Sequence, residues 1–279
     1  MAVIFGLGFT GARVARRLLQ RGVPVSAAVR GVERFAEHAL SGVELRELNL
    51  EDPDSMGLPQ RAAVLVTIPP LPEPANSRLH EAILRIAPSR VVYISSTGVY
   101  GDRIEVDAGT PAAPNDPRGD ARLAEEQWMA AGPWSCLTLR SAAIYGPGRG
   151  VHTAIREGRL PRGSGAGVVS RIHVDDLAAI AEAGLFSEIE GAWPVADDAP
   201  CSTDEIVDWC CEHLRWNSGD IPEIASHGAI RGRKADGRKI REILGVKLRY
   251  PSWKTGIPAS IAEEREAEAT PAAEQQSTQ

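Results

Sequence analysis

The first eleven residues constrain this chain most. Val3-Ile4-Phe5 is a short apolar run, and Gly6-Leu7-Gly8-Phe9-Thr10-Gly11 follows at once. From Ala12 to Arg21, Val14, Leu18 and Leu19 fall at helical spacing, with Arg13, Arg16, Arg17 and Arg21 on the other face. Strand, glycine turn and helix with G-x-G-x-x-G spacing form the pattern of a dinucleotide-binding turn. Gly6 would permit the tight turn, Gly8 would let bare backbone approach a pyrophosphate, and Gly11 would let the helix pack close to the strand. The first helical N–H groups have no intrahelical partner and sit at the positive end of the helix dipole, so they suit an anion. Phe9 and Thr10 would add their backbone N–H groups to that cradle.

Strands alternating with helices follow. Val23–Val29, Val43–Leu50, Ala62–Ile68, Arg90–Ser96 and Ser135–Leu139 read as strands, and the apolar run Ala62–Ile68 as one buried on both faces. Helices are expected over Gly31–Leu40, Ser77–Ala87 and Ala121–Ala131, with a proline-rich loop at 69–74 and a surface loop over Asp107–Asp120. The alternation predicts an α/β fold, a doubly wound parallel sheet of the Rossmann type with a small C-terminal substrate lobe. The expected division is 1–150 for the dinucleotide domain, with a returning strand near 193–196. Residues 151–257 would form the lobe and 258–279 a disordered acidic tail. Within the lobe, 158–167 reads as a mobile loop. Asp175 or Asp176 would cap a helix, Ser202 and Glu205 have capping-box spacing before another at 204–215, and Lys234–Leu244 reads as a third.

Composition narrows the partners. Hydrophobic residues make up 43% of 279 residues, enough for a full core, and net charge is −6. Nothing in that balance indicates a nucleic-acid or membrane-surface partner. Met1 leads directly into the first strand and no apolar run approaches about 20 residues, so neither a secretory leader nor a membrane span is expected. The four cysteines lack metal or redox spacing and read as reduced, buried thiols of a cytoplasmic protein. Six scattered histidines show no metal-ligand spacing.

Arg30 falls about 20 residues beyond the glycines, where an acid would bind a ribose hydroxyl and an arginine would accept a 2′-phosphate. Residues 28–30 contain no acid, so NADP is the expected cofactor, with NAD the alternative. Asn49 and Leu50 would sit near adenine, and Ile68 would line the same cleft. Ser96, at the end of a strand, would face substrate beside the nicotinamide. Its plainer reading is a hydroxyl bonded to backbone.

Taken in order, several segments resemble the extended short-chain dehydrogenase/reductase superfamily, in its NAD-dependent epimerase/dehydratase branch. They are Gly6-x-Gly8-x-x-Gly11, Ile94-Ser95-Ser96-Thr97-Gly98-Val99-Tyr100-Gly101, Leu139–Gly148, Ile172–Ala178 and Asp236–Lys239 leading to Leu244-Gly245. The resemblance implies an oxidoreductase or epimerase acting on a nucleotide-sugar or other anionic small molecule, as a monomer or homodimer. It implies a Ser for the substrate oxygen, which carries over as Ser96, and a Tyr and a Lys four residues apart. Those two do not carry over. The matching stretch is Pro117-Arg118-Gly119-Asp120-Ala121-Arg122, with Arg118 at the Tyr position and Arg122 at the Lys position.

Arg122 could still hold ribose or phosphate, but a guanidinium cannot act as a general acid near neutral pH. Two readings follow. In one, an atypical enzyme uses another proton donor, for which Tyr100, Tyr145, Asp102 and His173 are candidates. In the other, a catalytically inactive sensor or scaffold binds the dinucleotide without turnover. The pair Arg118 and Arg122 suits an anion in either.

Overall fold

The computed structural model describes residues 1–33, 41–159, 167–214, 216 and 232–276, with side chains as far as Ala269. In chain order the elements are β1 (Ala2–Phe5), α1 (Phe9–Gln20), β2 (Val25–Val29), β3 (Val43–Glu47), β4 (Ala63–Val66), α2 (Ala75–Ile86), β5 (Arg90–Ser96) and β6 (Glu105–Val106). Then come α3 (Pro117–Ala131), β7 (Ser135–Ser141), β8 (Ala143–Tyr145), α4 (Val151–Arg156), β9 (Arg171–His173), α5 (Val174–Leu185) and β10 (Gly191–Val195). The last are α6 (Thr203–Leu214), β11 (Lys234–Ala235), α7 (Arg238–Leu244) and α8 (Trp253–Gln276).

Seven parallel strands form one sheet in the order β10-β7-β5-β4-β1-β2-β3. This is the expected doubly wound α/β sheet. The chain winds one way from β1 and the other way from β4, so the crevice beyond the carboxyl ends of β1 and β4 is the switch point where such sheets bind ligands. Strand alternation divides the core. Ile4, Leu65 and Val92 face α1 and α5, through Val14, Leu18, Leu177 and Ile180. Val3, Phe5, Val64 and Tyr93 face α2 and α3, through Leu79, Ile83 and Met129. Helix α2 buries Leu79, Ala82, Ile83 and Ile86, an unbroken i, i+3, i+4, i+7 stripe. Each large side chain so buried contributes about 1.5–3 kcal/mol.

Several expectations need correction. The boundary at 150 is not a clean cut. Helix α5 packs along α1 and Ile240 of α7 joins the same core, so these segments belong to the Rossmann body along with β10, which lies where a returning strand was expected. A parallel strand needs a covering crossover helix, and α5 supplies it before β10. The lobe core is smaller: Tyr145, Ile155, Cys201, Ile206, Val207, Cys210, Trp253, Ile257 and Ile261. The last three lie on α8, so residues 258–276 are not a loose tail. This stretch is helical as far as Gln276, with Ile261 buried and Glu263 paired to Arg13 at 2.7 Å. Helix α3 starts inside the expected surface loop, because Asp116 accepts from Gly119 N at 2.7 Å and Pro117 supplies a pre-set first turn. Lys234–Ala235 pairs with β6, so the expected helix from Lys234 begins only at Arg238. The expected helix over Gly31–Leu40 and the loop over 158–167 lie largely outside the described residues.

Candidate dinucleotide and substrate site

The glycine turn is held from two sides. Gly6 adopts φ +96°, which only glycine takes without strain. A Cβ there would stand 2.6 Å from Ile68 Cγ2 and 2.7 Å from Thr67 Oγ1. Thr67 donates its hydroxyl to the Gly6 carbonyl at 2.7 Å, bracing the turn from the end of β4. A Cβ on Gly11 would overlap the Gly6 carbonyl oxygen, so α1 reaches this depth only with glycine. Gly8 is the opposite case: it is exposed, its backbone is extended, and nothing lies within 4 Å of where its Cβ would stand. No side chain caps the N-terminus of α1, and its first turn carries no acid. The resulting cradle is open at Gly8 and electrically positive. Phe9 closes one flank, with the Arg149 guanidinium 5.2 Å from its ring centroid.

Arg30 follows the carboxyl end of β2 and is exposed. Across from it, Glu47 at the end of β3 accepts from Gly31 N at 2.9 Å and Val32 N at 3.0 Å. Those two N–H groups hold its carboxyl below the usual range. Asn49 is engaged within its own turn. Its Oδ1 accepts from Glu51 N and Asp52 N, and its Nδ2 donates to Ser55 Oγ. Leu50 is half-buried against the α2 face of the core. A cavity of about 480 Å³ lies beside these residues, lined by Leu45, Glu47, Asn49 and Met56 among others.

Ser96 ends β5 and accepts from Gly98 N at 3.1 Å, capping a single 3₁₀ turn over Thr97–Tyr100. The first turn of α3 packs on that turn, with the Gly119 Cβ position 3.3 Å from the Gly98 carbonyl. Arg118 is exposed there. Arg122, one helical turn on and half-buried, donates from Nη1 to the Ile94 carbonyl at 3.1 Å and to the Tyr93 hydroxyl at 3.3 Å. Behind them lies a closed network. Glu126 accepts from Ser95 Oγ at 2.5 Å and from Arg140 Nη2 at 2.7 Å, and Arg140 lies 4.9 Å from the Tyr100 ring.

The tyrosines and lysines are fully accounted for. Tyr93, Tyr100 and Tyr145 are buried, and burial pushes each phenol up, away from the range of a working acid. Tyr250 packs on His173. All four lysines lie between 234 and 254, so residues 1–233, the β5–α3 corner included, have none. The chain does contain one Tyr-x-x-x-Lys spacing that the sequence reading missed, Tyr250 to Lys254. Tyr250 there packs at a tilt on His173 and Lys254 lies over Trp253, outside the β5–α3 corner.

His173 serves structure. Its Nδ1 accepts from Asp175 N at 3.2 Å, capping α5 in place of the expected Asp175 or Asp176. Its Nε2 lies 3.2 Å from Ser260 Oγ, and that hydroxyl donates to the Gly256 carbonyl. Burial, with Arg13 and Arg249 nearby, lowers the imidazole to about 4, so it is neutral. Asp176 accepts from Arg249 N and Tyr250 N, tying the lobe to α5. Asp102 is exposed on the turn after Tyr100.

Three further features escaped sequence reasoning. Glu47 and Thr67 act through the fold and carry no local motif. Asp197, just past β10, is 3% exposed, and its Oδ2 has no partner among the described residues. Burial pushes its carboxyl up to about 7. It lines a cavity of about 1020 Å³ with Asp198, Lys234, Arg238 and Arg241. Among the described residues no group of three His, Cys, Asp or Glu could hold a metal, and no helix is long and apolar enough to cross a membrane. All four cysteines are free, and burial pushes the thiols of Cys136, Cys201 and Cys210 up to about 11, 12 and 12.

No family model matches the chain. A structure of a conserved protein of unknown function from Silicibacter pomeroyi superposes with TM-score 0.79 at 29% identity, covering 94% of this chain and 98% of that one. A Thermus thermophilus UDP-glucose 4-epimerase in complex with NAD superposes with TM-score 0.75 at 19% identity, over 95% and 99% of the two chains. The chain therefore has the Rossmann fold of the NAD-dependent epimerase/dehydratase and short-chain dehydrogenase/reductase enzymes. In sequence it is 32% identical over 172 residues to a 3-diazoavenalumate denitrifying reductase of a Streptomyces species, which is 54% of this chain. The match spans about half of that reductase, 55%.

Proposed function

We propose that the protein is an NAD(P)-dependent oxidoreductase of the short-chain dehydrogenase/reductase type, acting on an anionic small molecule. The open Gly8 between two occluded glycines carries this reading: the cradle admits a pyrophosphate where a Cβ on either side would be blocked. Gly6, Gly8, Phe9, Thr10 and Gly11 would hold the pyrophosphate, Ile68 would flank it, and Asn49 and Leu50 would lie near adenine. Arg122 would reach the ribose. Arg30 would take a 2′-phosphate, making NADP the preferred cofactor, against the opposing charge of Glu47. When bound, the nicotinamide supplies or accepts the hydride, and Ser96 would hydrogen-bond the substrate oxygen.

Support for a reductive role comes from the Streptomyces relative, named as a reductase of 3-diazoavenalumate. Support for dinucleotide binding comes from the fold shared with an epimerase solved with NAD. The test is an acceptor screen followed by nicotinamide absorbance, with Ser96→Ala in parallel. Oxidation of NADPH that needs an acceptor and slows in the variant is expected. Cofactor binding with no turnover on any acceptor would leave a dinucleotide sensor instead.

A further inference from the structure

The β5–α3 corner carries two cations that no carboxylate pairs among the described residues. Arg118 and Arg122 are four residues apart on α3, hence on one face of it, and they repel each other there. Among the described residues neither has an acidic group within ion-pair distance. Asp120, two residues from each arginine, is exposed and lies off their shared helix face, and the next acids along the chain are committed elsewhere. Asp116 caps α3, Glu125 accepts from Asn76 and His80, and Glu126 accepts from Ser95 and Arg140. Arg122 is half-buried, yet both of its hydrogen bonds leave from Nη1 and end on neutral oxygens. Its Nη2 and Nε have no partner among the described residues, and neither is a buried orphan, so both face accessible space. A half-buried guanidinium left open in this way is complementary to an anionic ligand.

The position of the pair defines the kind of anion. Ser96 ends the strand on which α3 packs, so the reacting oxygen of a substrate would lie between the serine and the arginines. The tyrosine hydroxyl beside the pair, that of Tyr93, is fully buried, accepts from Arg122 and is pushed up by burial, and a guanidinium keeps its proton. The corner can stabilise negative charge but cannot discharge it. An alkoxide needs a proton as it forms. A phenolate, or an enolic oxygen of similar acidity, does not.

Resting on the dinucleotide reading above, we infer that Ser96, Arg118 and Arg122 form an oxyanion site that selects substrates whose reacting oxygen is a phenolate or comparably acidic enolate. The arginines hold that oxygen ionised, as a preorganised cationic site holds developing charge.

The test uses the full chain with NADP present and 4-nitrophenol as probe, whose colour reports its ionisation. Bound nitrophenol should ionise at a pH lower by about one unit or more than free nitrophenol, as expected for an acid beside a fixed cation. Arg118→Gln should abolish most of that shift, and Arg118→Lys should retain much of it. Arg118 is exposed, so both variants should fold. The inference is overturned by absence of saturable nitrophenol binding, by an unshifted midpoint, or by an equal shift in Arg118→Gln. NADPH affinity is measured on the same samples. Intact NADPH binding beside a failed nitrophenol result rejects the oxyanion site alone, whereas lost NADPH binding rejects the dinucleotide reading.

Discussion

Replacing Gly8 and Gly11 separately by alanine should split binding from stability. At Gly8 the backbone is extended, at φ −78° and ψ −155°, and nothing stands within 4 Å of a new Cβ. Alanine restricts the unfolded chain, a gain of about 0.4–1 kcal/mol. It is also a poorer N-cap than glycine, a loss of about the same size. The two offset, so stability should stay within about 1 kcal/mol of wild type. The methyl would nevertheless occupy the mouth of the cradle. A charge-assisted hydrogen bond from a backbone N–H contributes about 1.5–3 kcal/mol. Losing one or two therefore weakens dinucleotide binding at least 10- to 100-fold, at about 1.4 kcal/mol per factor of ten. At Gly11 the methyl would meet the Gly6 carbonyl, which is backbone and cannot swing aside. Overpacking of this kind costs about 1–3 kcal/mol or more. At about 2–4 °C per kcal/mol, the Tm of Gly11→Ala should fall by several degrees. Thermal denaturation and calorimetric titration of both variants read out the contrast. A Gly8→Ala variant as unstable as Gly11→Ala, with dinucleotide affinity intact, would refute the reasoning.

Four further outcomes follow from particular residues. The Asp197 carboxyl is raised from 3.8 to about 7, so between those values the folded state keeps a proton that the unfolded state releases, and stability falls as pH rises. Asp197→Asn should remove that decline and stabilise the protein above pH 7 by on the order of 2–4 kcal/mol in denaturant titrations. The His173 imidazole is lowered from 6.5 to about 4, so its contribution has the opposite sign: stability is lost as pH falls through that window, and His173→Gln should flatten this slope. Ser202 and Glu205 exchange hydrogen bonds of 2.7 and 3.1 Å at the start of α6, so Ser202→Ala should cost about 1 kcal/mol in chemical denaturation. Deleting residues 258–279 removes buried Ile261 from the lobe core and should cost about 1.5–3 kcal/mol for that side chain alone. An unchanged Tm would restore the picture of a loose tail.

Local chemistry carried much of the fold. Residues 3–11 placed the first strand, turn and helix because each glycine has a local steric reason. Arg90–Ser96 was legible as a strand to the residue, since a buried parallel strand is continuously apolar up to its polar end. The capping box at Ser202 and Glu205 formed as its spacing implies. What escaped depends on distant partners. The β6–β11 ladder joins two-residue strands about 130 positions apart, too short for any periodicity. Helix α8 reads as a polar tail until Arg13, 250 residues away, receives Glu263 and Arg156 receives Glu264. Asp116-Pro117 was a visible start signal for α3, obscured by the prolines before it. Arg118 and Arg122 were singled out from their place in the family pattern this stretch resembles, whereas Glu47 and Thr67 act through contacts that only the sheet creates.

The central claim is that the turn at Gly6–Gly11 binds a nicotinamide dinucleotide, with Arg30 on the 2′-phosphate. Calorimetric titration of the purified protein with NADPH and with NADH, repeated on Arg30→Ala, tests it most directly. Saturable NADPH binding, tighter than NADH and selectively weakened in the variant, is the expected result. Equal affinity for both nucleotides in both proteins would contradict the role of Arg30, and no heat from either would contradict the dinucleotide site itself.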